Sequence, residues 1–304
     1  MRVTFDSNSE GHDMPHHDTH DHDKHDHDGG FAHDLPRLVS RRGLLTALGG
    51  LGASVALADA ARAACVALPW ETAGPYPADG SNSRDGQVID VLREEGVIRT
   101  DLRGSFGGLD QTAEGTPLDL DLTMVAADGC TPLAGHAIYA WHCDATGRYS
   151  LYDVPQANWL RGVGIADDAG RVAFTTIFPG CYDGRWPHIH FEVFASAEAA
   201  VGGADPLLTS QIALPEDASA AVYAADARYS NGTRNLGRIA LASDGIFADN
   251  TADQIAQQTL VLSGDMNDGL TGRVTIPVDP DAARSASMRP RGGRGGTGLP
   301  PRRN

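Results

Sequence analysis

Between residues 118 and 124 the chain alternates strictly: Leu118, Leu120, Leu122 and Met124 are separated by Asp119, Asp121 and Thr123. Successive strand side chains point to opposite faces, so this segment can gather its apolar residues on one face only as a strand. Further short apolar runs follow at 135–141, 171–177, 188–195, 209–214, 258–263 and 272–278, with Gly, Asp, Asn and Pro between most of them, as at Asp167-Asp168-Ala169-Gly170. In this region only Glu216 to Asp226 reads with a helical period. Many short strands with turn punctuation predict an all-β domain: an antiparallel β-sandwich with long loops rather than an α/β fold.

The flanks do not share this pattern. Residues 1–39 form a leader in which eight of the chain's twelve His fall before residue 34, and residues 282–304 are rich in Gly, Arg and Pro. The globular part is therefore expected at 65–281, a usual size for one β domain. The chain carries a net charge of −16 and its basic residues cluster only in the tail, which argues against a nucleic-acid partner. His-rich tracts can chelate metals, but a dispensable leader is the simpler reading, and Met14 offers an alternative start.

Ser40-Arg41-Arg42 precedes an apolar, Gly- and Ala-rich run ending in the small residues Ala61, Ala63 and Ala64. The run is too short and Gly-rich for a good membrane span. Residues 40–64 resemble a twin-arginine export signal. The resemblance implies the twin-arginine export machinery as a partner, cofactor loading before export, and a mature chain beginning near Cys65 in an extracellular or envelope space. Arg62 makes Ala63-Ala64-Cys65 a poor lipidation site. The four cysteines, Cys65, Cys130, Cys143 and Cys181, allow three pairings. Cys130 and Cys143 flank the strand His136–Trp141, so a local bridge between them is expected, with Cys181 free.

Chemistry concentrates between residues 140 and 190. His188 and His190 stand two apart on a predicted strand, so both imidazoles project from one face, half of a metal site. Neutral imidazole suits zinc, copper, iron and nickel alike. Tyr182 lies six residues upstream of His188, and Tyr149 follows the strand before it. Free tyrosine titrates near 10, so only a strong Lewis acid holds it ionised at neutral pH. A phenolate is a hard anionic donor that favours ferric iron over zinc.

Trp141-His142, Gly147-Arg148-Tyr149-Ser150, Thr176-Ile177-Phe178-Pro179-Gly180 with Tyr182, and Arg185-Trp186-Pro187-His188-Ile189-His190-Phe191 occur in that order. Together they resemble the intradiol ring-cleavage dioxygenases, the catechol and protocatechuate dioxygenase family. Thr72-Ala73-Gly74-Pro75-Tyr76 and Ser210-Gln211 extend the likeness over most of 70–215. The resemblance implies one mononuclear Fe(III), with Tyr149 and His188 equatorial and Tyr182 and His190 axial. It implies that an aromatic diol displaces Tyr182, which acts as a base, and that dioxygen opens the ring between the two hydroxylated carbons to give a muconate-type diacid. Arg185 would stabilise charge developing on the substrate. Gln211, Pro75 and Tyr76 would contact the substrate, and His142 reads as structural.

Two departures stand out. Only five residues separate Tyr182 from His188, fewer than in the well-known cytoplasmic enzymes, and no N-terminal helical dimerisation segment is present. The resemblance is thus to an exported, short form, whose substrate is not fixed by the cytoplasmic members. A non-catalytic exported β-sandwich that binds a metal or ligand is the alternative reading. A zinc hydrolase is weaker, because no third His or carboxylate stands at a suitable spacing.

Overall fold

A computed structural model describes residues 65–266 and 268–281, all within the second of two units, Ala56–Asn304. The leader, the export signal and the tail expected above lie outside the described residues. Two four-stranded sheets carry the fold. One runs in the order β6 (Arg171–Ile177), β3 (Pro117–Ala126), β10 (Gly269–Val278), β9 (Val261–Asp265). The other runs β5 (Arg161–Ile165), β4 (Ala137–Trp141), β7 (His188–Phe194), β8 (Leu208–Ala213). A hairpin of β1 (Asp79–Arg84) and β2 (Gln87–Asp90) stands apart from both.

The alternation in β3 does what its pattern requires. Leu118, Leu120, Leu122 and Met124 are all buried, in one cluster with Ile138, Ala140, Ile189, Phe191 and Val193 from the second sheet. This is the sandwich core, and each of its Leu, Ile, Val, Phe and Met side chains contributes about 1.5–3 kcal/mol by leaving water. The opposite face of the second sheet carries Tyr139 and Trp141 on β4. They join a separate cluster with Tyr149, Val91, Leu92 and Val97, packed against Ala73, Tyr76 and Tyr182. The strand β7 is buried along its whole length. Its odd-numbered residues Ile189, Phe191 and Val193 therefore serve the core, while His188 and His190 serve the second cluster.

The all-β expectation holds, with refinements. The pairing is antiparallel except between β10 and β3, which run parallel from Leu270 beside Leu118 to Val278 beside Ala126. The hairpin β1–β2 and the strand β5 were not foreseen. Among the described residues four short α-helices and one 3-10 helix (Leu241–Ser243) decorate the loops: α1 (Ala197–Gly202), α2 (Glu216–Ala225), α3 (Gly232–Leu236) and α4 (Ala252–Gln258). The helical reading of Glu216 to Asp226 corresponds to α2. The expected strand at 258–263 begins later, because Thr251 and Gln254 form a reciprocal capping box that starts α4 and carries it to Gln258.

The expected Cys130–Cys143 bridge is corrected. Cys130 pairs with Cys65, and Cys143 and Cys181 are buried free thiols. Cys130 and Cys143 sit beyond opposite ends of β4, whose five residues alone span about 17 Å at the usual strand rise. Flanking a strand separates two cysteines; it does not bring them together.

Candidate metal centre

The histidine pair is built by sheet register. His190 lies directly across from Trp141 on β4 and from Gln211 on β8, and His188 across from Ala213. Trp141 stacks on the His190 ring, centroids 5.0 Å apart and planes 4° from parallel, which fixes the imidazole plane. The two Nε2 atoms lie 3.0 Å apart, and the Tyr182 hydroxyl is 3.2 Å from His188 Nε2.

Two loops supply the phenols. The turn after β4 ends in Tyr149, whose amide donates to Asp153 at 2.8 Å. The loop after β6 carries Tyr182. The loops touch where side chains are absent: a Cβ on Gly147 would lie 2.9 Å from the Tyr182 Cβ, and one on Gly180 would lie 2.6 Å from the Asp144 carbonyl oxygen. Glycine at both positions lets Tyr149 and Tyr182 meet, with ring centroids 5.9 Å apart. The helical segments hold the second loop from behind. Tyr229 donates to the Phe178 carbonyl, Tyr223 to Pro179 and Asn235 to Cys181, at 2.7, 2.9 and 2.8 Å.

Protonation follows from these partners. The Trp186 carbonyl can only accept, so His188 Nδ1, 2.5 Å away, carries a proton and Nε2 presents a lone pair to the site. Burial, helped by the Arg185 charge, lowers the His188 pKa to about 3. Burial and the neighbouring His188 likewise push His190 well down. Both imidazoles are therefore neutral at physiological pH. Burial raises the Tyr182 phenol to about 12 against the opposing pull of Arg185, and raises Tyr149 well above its ordinary value, with Tyr182 and Cys143 adding to the effect. The Tyr149 hydroxyl is buried and makes no well-aligned hydrogen bond, a gap that a bound cation would fill.

Among the described residues no group of three or more His, Cys, Asp or Glu converges anywhere. The donors beside the two imidazoles are thus the two phenols. This N2O2 set fits a hard, strongly acidic metal ion and not a thiolate- or carboxylate-based zinc site. His142 is occupied: Nδ1 donates to the Cys143 carbonyl and Nε2 accepts from Thr176, both at 2.8 Å.

Arg185 is held more firmly than its sequence suggests. Its Nε donates to Asp244 at 2.8 Å and an Nη to the Gln211 amide oxygen at 2.6 Å. Asp244 is fully buried, and it also accepts from the amides of Trp186, Ile246 and Phe247. Burial opposes its charge, yet the Arg185 hydrogen bond and charge keep its pKa below the ordinary carboxylate value. Burial also opposes the Arg185 charge, but Tyr182 and Asp244 hold it protonated.

The remaining expected contacts lie around this centre. Gln211 sits beside it, but both ends of its amide are engaged, the oxygen with Arg185 and Nε2 with the Thr72 carbonyl at 2.9 Å. It holds the arginine and the segment 72–76 in place instead of pointing a free amide at a ring. That segment overlies His190, since a Cβ on Gly74 would come within 3.3 Å of the imidazole Cε1. Tyr76 packs between Tyr149 and Tyr152, centroids 5.0 Å from each. The Pro75 carbonyl is tied to the Asn82 amide at 2.5 Å.

Asp244 and Arg161 were missed in the sequence. Asp244 lies in Ser243-Asp244-Gly245, which reads as a turn, and its partner Arg185 is 59 residues away. Arg161 is fully buried and donates to Ser150, Pro77 and Tyr139 behind the Tyr149 turn. Its place as an Arg opening an otherwise apolar strand was the available signal.

Residues 104–229 match the family model described as Dioxygenase, a span that includes all four donors and Arg185. Among solved structures the chain is similar to an intradiol ring-cleavage dioxygenase from Tetranychus urticae, at 22% identity and a TM-score of 0.54, covering 72% of this chain and 96% of that one. A second solved dioxygenase matches at 23% identity with the same TM-score and coverage. The dioxygenase domain of a carbohydrate-binding fusion protein from Streptomyces sp. SirexAA-E matches at 21% identity and a TM-score of 0.42, over 70% of this chain and 99% of that one. The first two likenesses establish a shared fold.

Proposed function

We propose that this chain, which belongs to the intradiol dioxygenase family through residues 104–229, binds one ferric ion on Tyr149, Tyr182, His188 and His190 and cleaves catechol-type diols with dioxygen. The observation that carries this reading is the convergence of two phenols and two neutral imidazoles in a buried cluster that, among the described residues, no carboxylate or thiolate completes. Ferric iron bound there would activate the aromatic diol for attack by dioxygen between its two hydroxylated carbons.

The chain's own residues divide the remaining work. Tyr149 is buried and Tyr182 is half-buried, so Tyr182 is the donor that an incoming diol reaches. As a phenolate its oxygen is suited to take the proton that the diol releases. Arg185 stays charged beside it and offsets anionic charge developing on the substrate. Tyr76 and the segment 72–76 cover the cluster and exclude water from one side.

Export by the twin-arginine route is part of the same proposal. The Cys65–Cys130 disulfide supports it, since such bonds persist in oxidising compartments. A disulfide-bonded Cys65 also has no thiol to lipidate. Cell fractionation of the full chain tests the route: activity outside the cytoplasm, lost on substituting Arg41 and Arg42 by Lys, is expected.

The decisive experiment on function is a visible spectrum of the purified, iron-loaded chain before and after adding catechol, followed by product analysis under dioxygen. A burgundy protein whose band shifts with catechol, giving a muconate-type diacid, is expected. Colour without product across a panel of catechols would instead mark an exported metal-binding protein, and a colourless, iron-free protein would remove both.

A further inference from the structure

One buried carboxylate touches both halves of the centre without facing it. Asp244 Oδ2 accepts from Arg185 Nε at 2.8 Å and from the Trp186 amide at 2.7 Å. The carbonyl of the same Trp186 accepts from His188 Nδ1 at 2.5 Å. The Trp186 indole is itself tied down, donating to the Leu214 carbonyl at 2.9 Å. The other carboxylate oxygen accepts from Ile246 and Phe247 at 2.9 and 3.2 Å, which anchors Asp244 to its own loop.

We infer that Asp244 is the positioning residue of this centre, setting the Arg185 guanidinium directly and the His188 imidazole through Trp186. The inference rests on the site proposed above. Both oxygens of Asp244 are saturated by donors, so it has no capacity to take part in proton transfer; its action is geometric. A carboxylate is required because four donors meet it from two directions. An amide presents one acceptor oxygen and one donor nitrogen, so Asn must abandon either the Arg185–Trp186 pair or the loop amides. Released Arg185 would keep only Gln211, and the backbone at Trp186, whose N–H and C=O lie in successive peptide units, would lose the anchor on its N–H side. His188 would then lose the acceptor that selects its tautomer.

The test compares the full chain with Asp244→Asn, in the iron-free and iron-loaded forms. In the iron-free protein, imidazole nitrogen NMR of wild type should show His188 held as the Nδ1–H tautomer, and Asp244→Asn should show a mixture of tautomers. In the loaded protein, iron affinity or kcat/KM should fall about 10- to 100-fold. In an Arg185→Gln background the same substitution should cost markedly less in kcat/KM, because part of its effect passes through Arg185. An unchanged tautomer together with multiplicative kinetic effects would overturn the inference. If wild type proves inactive on catechols, the functional proposal fails, while the tautomer measurement still decides the role of Asp244. Should Asp244→Asn not fold, Asp244→Glu keeps the charge and displaces the carboxylate by one methylene; a wild-type tautomer and wild-type kinetics in that variant would equally count against the inference.

Discussion

The Nδ1 atom of His188 lies 2.5 Å from the Trp186 carbonyl oxygen, so this imidazole has a single lone pair to offer, and that lone pair faces the Tyr182 hydroxyl. Both phenols are protonated in the metal-free protein, since burial pushes them above their ordinary value. Ferric iron must therefore displace protons from Tyr149 and Tyr182. Loading the iron-free chain is expected to release about two protons per ion into a weakly buffered solution, and apparent affinity should rise with pH. In Tyr149→Phe the release should fall to about one, with most of the visible colour and activity lost. Release that does not change in this variant would mean that Tyr149 is not a ligand.

A second expectation concerns Glu71, just before the segment that covers His190. Its carboxyl is buried, accepts from Asn250 at 2.8 Å, and burial raises its pKa from 4.5 to about 7. Between those values the folded chain holds a proton that the unfolded chain has released, so stability falls as pH rises through this window. Gln keeps the acceptor without the charge. Glu71→Gln should therefore gain stability over wild type between about pH 4 and pH 8, by at most about 3 kcal/mol, read from urea unfolding at both ends. A gap that stays constant across that range would count against a raised pKa.

How much of this was legible beforehand follows the range of each interaction. The alternation at 118–124 and the spacing of His188 and His190 are local, and both gave the correct face of the correct strand. The two tyrosines came from motifs whose glycines, Gly147 and Gly180, turn out to be the contact between their loops. Asp244 could not be read, because its meaning lies in Arg185 and Trp186, 59 and 58 residues away. The parallel pairing of β10 with β3 is equally non-local, joining Leu270 to Leu118. The cysteine expectation failed for the reverse reason: proximity in sequence stood in for proximity in space.

The Cys65–Cys130 bridge closes a loop of sequence separation 65. Restricting the unfolded chain to that extent contributes about 4 kcal/mol in the loop-entropy account. Cys130→Ser is expected to lower stability by this order while leaving the visible spectrum of the loaded site unchanged, because Cys130 lies in the loop between β3 and β4 and not in the loops that carry Tyr149 and Tyr182. Calorimetry and the spectrum check the two halves separately. A spectrum that changes would mean that the bridge shapes the site.

Arg161 offers the sharpest test of how the Tyr149 turn is held. The side chain is fully buried, and among the described residues no carboxylate pairs with it. It donates instead to Ser150 Oγ and the Ser150 carbonyl at 3.0 and 3.2 Å, to the Pro77 carbonyl at 3.0 Å and to the Tyr139 hydroxyl at 3.1 Å. A buried cation is costly unless its donors are satisfied, and here they stitch Tyr149's immediate neighbour to the segment that leads into β1. Arg161→Met keeps much of the volume but strands the Ser150 carbonyl oxygen, worth about 1–3 kcal/mol when left unsatisfied, while the Pro77 carbonyl keeps the Tyr139 hydroxyl at 2.7 Å. Thermal unfolding should therefore show a loss of about 1–3 kcal/mol, and the tyrosinate band of the loaded protein should shift as Tyr149 moves. Arg161→Lys restores the charge but cannot span Ser150 and Pro77 together, so it should recover little of either. Full recovery by lysine would show that charge alone, and not the set of hydrogen bonds, is what the turn requires.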